Sequence, residues 1–90
     1  MKVDILGKPE DKPKMEQSAV LLKEAAHKAN VQLVINQTHN FAAFSNFTFN
    51  LTKTPVVFIE GHIEFIGMTP ELPLVIAKLV DLRDKGSQVF

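Results

Sequence analysis

The chain has 90 residues, 46% of them hydrophobic, and its ten basic and ten acidic side chains balance to zero formal charge without a single cysteine. That is material for one small domain with a single core. The neutral balance excludes the basic footprint of a nucleic-acid binder, and the missing cysteine excludes disulfides, thiol chemistry and thiolate-held metal.

The elements follow in chain order. Residues 2–6 read as a first strand, with Val3, Ile5 and Leu6 as apolar content, and Gly7 ends it. A polar loop, GKPEDKPK, leads to Pro13, which suits the first turn of a helix, with Asp11 as its N-cap. Residues 13–29 form that helix: Met15, Ala19, Leu22, Ala26 and Ala29 recur at steps of three and four, widened by Leu21 and Ala25. Lys14, Lys23, Glu24 and Lys28 fall on the other side. A second strand is expected over 31–35 (VQLVI), then a break over 36–40 (NQTHN). Strand, helix and strand make a right-handed βαβ unit with parallel strands.

The stretch 41–51 holds Phe41, Phe44, Phe47 and Phe49. The spacing of the first three suits a short helix over 40–47, followed by an irregular link to Pro55. Residues 56–59 and 62–66 read as a hairpin turned by Glu60-Gly61. On an alternating strand Glu60, His62 and Glu64 share one face. They are zinc-ligand types, although a solvated outer face is the simpler reading. Thr69 then caps a last helix, with Pro70 in its first position and Leu72, Val75, Ile76, Leu79, Val80 and Leu82 as its buried stripe. It ends near Gly86, leaving 86–90 as a frayed tail of the single domain 1–90.

No apolar run approaches the roughly 20 residues of a membrane helix. The N-terminal MKVDILGKPEDK lacks the long apolar segment of a secretory signal. A cytoplasmic protein without membrane or nucleic-acid partners is therefore expected.

The order β-α-β-α-β-β-α, an α/β class with a four-stranded mixed sheet flanked by helices, resembles the thioredoxin fold in its small glutaredoxin and redox-disulfide form, over residues 2–85. Thr54-Pro55 stands where those proteins carry a cis-proline, Gly67 where a glycine follows the hairpin, and the loop GKPEDKPKM where their C-x-x-C motif belongs. Aligned on Lys14-Met15, the two cysteine positions are Glu10 and Pro13, so the resemblance implies the fold while dithiol exchange, which needs a thiolate, is excluded.

The motif loop is thus degenerate at Glu10, Asp11, Lys12 and Pro13. A peptide-docking groove made of Gly7, the loop, Thr54 and Pro55 is what the resemblance implies if binding outlasts chemistry. Either Phe41 and Phe44 cover the second face of the sheet, with Phe47 and Phe49 in the core, or Phe41, Phe44 and Phe47 contribute to an interface. The expectation is a non-catalytic thioredoxin-like protein that binds a protein or peptide, with a homodimer as one form and no cofactor or metal. Two alternatives stay open. One is a small-ligand protein or thiol-independent enzyme using the cleft between the 7–13 loop and Pro55. The other is a degenerate redox subunit of a larger system.

Overall fold

A computed structural model describes residues 1–45, 53–66 and 71–87. The helical and extended segments are β1 (Lys2–Leu6), α1 (Lys12–Ala29), β2 (Val34–Thr38), β3 (Val56–Ile59), β4 (His62–Ile66) and α2 (Leu72–Ser87), with 3₁₀ turns at Pro9–Asp11 and Phe41–Phe44. The strands form one mixed sheet in the order β2-β1-β3-β4. β1 runs parallel to β2 and antiparallel to β3, and β3 is antiparallel to β4.

Period-two alternation on the two central strands divides the core. Val3, Ile5, Val57 and Ile59 face one side, where Met15, Ala19, Leu22, Ala25, Ala26 and Ala29 of α1 and Val75 and Leu79 of α2 pack over them. The alanines bring α1 close to the strands. Both long helices therefore lie on a single face. The opposite face carries Leu6, Val56 and Phe58, against which Phe41 and Phe44 pack. All four residues of β3 are buried, as an apolar strand covered on both sides requires.

Several sequence expectations need correction. β2 starts at Val34, not Val31, and it continues through Asn36, Gln37 and Thr38, which were expected to form a break. The cause is the end of α1. Asn30 adopts the left-handed conformation (φ 56°, ψ 47°), and the Val31 amide donates to the Ala26 carbonyl at 2.9 Å. The first residues of VQLVI are thus spent closing the helix.

The short helix expected over 40–47 is a 3₁₀ turn of four residues, Phe41–Phe44. α2 runs to Ser87, so Gly86 lies within the helix rather than capping it. The calls on Phe47, Phe49, Gly67, Thr69 and Pro70 lie outside the described residues.

The hairpin follows its sequence signal. Glu60 and Gly61 both have positive φ, 51° and 79°, the backbone of a two-residue turn matched to the strand twist. A bulge interrupts the ladder: Phe58 pairs with Ile63 and Val57 with Phe65, leaving Glu64 unpaired. Alternation fails at that point, so Glu60, His62 and Glu64 do not form one exposed row. Glu64 is instead half-buried and meets Lys78 of α2 at 3.1 Å.

Candidate functional site

The loop from β1 to α1 is held from three sides. The Gly7 amide donates to the Thr38 carbonyl at 3.1 Å, and His39 Nδ1 donates to the Gly7 carbonyl at 2.7 Å. Asp11 Oδ2 accepts the Lys8 amide at 2.9 Å and the Thr54 hydroxyl at 2.5 Å. Asp11 occupies the N-cap position of α1, yet its side chain makes no capping bond; the carboxylate is committed to the loop and to Thr54. The Thr54 hydrogen bond is the main reason the Asp11 carboxyl lies below its ordinary 3.8. Partial burial opposes that, and the Lys8 amide and the charges of Lys14 and Lys8 reinforce it.

Gly7 is required by packing. A Cβ there would lie 2.7 Å from Met15 Sδ and 3.2 Å from Asp11 Cβ.

The residues expected to form a docking groove are therefore brought together. Thr54 is 8% exposed and Pro55 is fully buried behind it, with the Thr54–Pro55 peptide bond cis. Pro9, Glu10, Lys12 and Pro13 are exposed. The surface offered at this end of the sheet is a stiff loop carrying two prolines and charges of both signs.

Phe41 and Phe44 are half-buried against the second sheet face. The Phe44 and Phe58 ring centroids lie 4.6 Å apart, tilted by 33°, a favourable aromatic geometry. These two phenylalanines cover the sheet.

Two features were not singled out from sequence. One is a shallow depression along the outer side of α1, about 470 Å³, lined by Pro13, Glu16, Gln17, Val20, Leu21 and Glu24, where Val20 is 66% exposed. The other is a cavity of about 420 Å³ on the second sheet face beside Asp4 and Asn36. Strand alternation puts Lys2, Asp4 and Leu6 on one side, but the cavity needs the β1–β2 register to be seen.

Among the described residues no group of three or more His, Asp or Glu side chains is placed to hold a metal ion, and no helix is long and apolar enough to cross a membrane. Comparison of the chain with protein-family models, with curated proteins and with solved structures returned no match.

Proposed function

We propose that this is a thioredoxin-like domain without thiol chemistry, acting by binding a protein or peptide at the 8–13 loop beside Thr54-Pro55. The strand order β2-β1-β3-β4, with a βαβ half preceding a ββα half, is the arrangement that the resemblance implies and supports the fold reading.

The observation that carries the functional reading is the Asp11–Thr54 hydrogen bond. Dithiol exchange needs an exposed, low-pKa sulfur in this loop. Here Glu10 and Pro13 stand at the two cysteine positions, and the loop is fastened to Thr54, in the segment that leads through Pro55 into β3. A loop already held in one conformation loses little entropy on binding. The exposed Pro9 and Pro13, flanked by Glu10, Lys12 and Lys14, suit an extended segment carrying charges of both signs.

The test is a random-peptide display selection against the immobilised protein, with the enriched peptides mapped by amide chemical shifts on labelled protein. Enriched peptides that perturb residues 8–14 and 53–56, and that weaken when Glu10→Lys and Lys12→Glu are combined, are the expected result. A selection with no enrichment, or peptides that perturb only distant residues, would refute the reading.

A further inference from the structure

The second face of the sheet is only half apolar. The β1–β2 register sets Asp4 beside Asn36 and Leu6 beside Thr38, while Phe58 flanks Asp4 from β3. The 3₁₀ turn Phe41–Phe44 covers the Leu6, Val56 and Phe58 half. The polar half opens into the 420 Å³ cavity, walled by Asp4, Asn36, Thr38, Asn40 and Phe44, with Lys2 also on its lining.

Asp4 is 9% exposed. Among the described residues its one hydrogen-bond partner is the Asn36 side-chain amide, at a long 3.4 Å. A carboxylate has about four acceptor sites, and a single long bond from Asn36 leaves most of them without a donor among the described residues. Its remaining acceptor sites are open to the cavity that Asp4 lines, and a cationic donor makes the strongest bond to a carboxylate. Lys2 lies two residues away on the same strand, about 6.6 Å along it, is exposed, and has no ion-pair partner among the described residues. It brings the opposite charge to the same opening. Phe44 adds an apolar wall, and the volume falls within the roughly 300–1,000 Å³ of small-molecule sites.

We infer that this cavity binds a small zwitterion of the free α-amino-acid class. The ammonium sits on Asp4, with Asn36, Thr38 and Asn40 as further polar partners. The carboxylate faces Lys2, and the side chain rests against Phe44. This site is separate from the 8–13 loop and does not depend on the reading of that loop.

The experiment titrates labelled protein with single free amino acids up to about 10 mM, following amide shifts. Each is run beside its N-acetyl derivative, which lacks the ammonium, and its decarboxylated amine. At least one amino acid is expected to give saturable shifts at Asp4, Asn36, Thr38 and Phe44. Its N-acetyl form and the Asp4→Asn variant should each bind about tenfold more weakly or worse. Lys2→Gln should weaken the amino acid and leave the amine unaffected. Because Lys2 is exposed, that variant and the two ligand controls decide the matter even if Asp4→Asn fails to fold. Absence of saturable shifts with every amino acid overturns the proposal. So does equal binding of the N-acetyl form, or an amine that binds as well as its parent.

Discussion

Thr54 donates its hydroxyl proton to Asp11 Oδ2 across 2.5 Å, joining residues 43 positions apart. That bond fastens the β1–α1 loop to the segment leading into β3, and it makes the loop's stability depend on the charge of one carboxylate.

Folding lowers the Asp11 pKa from 3.8. Its contribution is therefore complete above the unfolded value. It declines as pH falls from there through the lower folded value, and it is lost below that. Thr54→Val removes the donor while keeping the shape, and should cost about 1 kcal/mol at neutral pH. The acid limb of a stability–pH curve, measured by denaturant unfolding, should be shallower in the variant. Superimposable acid limbs would show that Asp11 is not held by Thr54. Circular dichroism is the suitable readout, because the chain has no tryptophan or tyrosine.

Gly7→Ala forces a methyl group to within 2.7 Å of Met15 Sδ, on a side chain that is only 1% exposed. Overpacking of this kind costs about 1–3 kcal/mol. Met15→Val withdraws the sulfur, so the Gly7→Ala penalty should shrink by about half or more in that background. A double-mutant cycle that finds strict additivity would contradict the contact.

Phe44 tests whether the aromatic turn is cover or interface. Phe44→Ala should lower stability by about 2 kcal/mol, below the range for fully buried phenylalanine because the ring is half-exposed, while Phe44→Leu should cost less than about 1.5 kcal/mol. Sedimentation of the same variants supplies the counter-result. A loss of self-association with unchanged unfolding midpoint would return Phe44 to an interface role.

Ser18 is fully buried within α1, and its hydroxyl has no hydrogen-bond partner among the described residues. Ser18→Ala relieves that and improves helix propensity, so stability should rise by about 0.5–2 kcal/mol. A fall in the thermal midpoint instead would mean that the hydroxyl is satisfied, for instance by an internal water.

The elements legible in the sequence were those with a strong local signal. Met15, Leu22 and Ala29 announce α1 by their spacing, and Val56 to Ile59 with Glu60-Gly61 announce the hairpin. What escaped was set by pairing at a distance. Asn36, Gln37 and Thr38 have the composition of a loop and become strand because β1 offers its edge to them. The bulge at Glu64 carries no local mark, and it redirects that side chain toward Lys78. At the site, Asp11 was readable as a helix cap, but its commitment to Thr54 was not, since nothing nearby in the chain signals a partner so remote. Asp4 carries no local signal that separates it from any other polar residue on a strand. Only the placement of Asn36 beside it and of Phe44 at the cavity wall makes it a buried carboxylate.

The central position of β1 has a consequence for synthesis. β1 is made before either neighbour, and its two edges are filled at different times: first by β2, then by β3 from the far half of the chain. Until the hairpin emerges from the ribosome, Val3, Ile5 and Leu6 border an unoccupied edge, and the helix-side core still lacks Val75 and Leu79. A nascent chain halted between the two halves would expose an apolar strand of the kind chaperones bind. Because its decisive pairing is so non-local, the finished chain should fold on the slower side for its size.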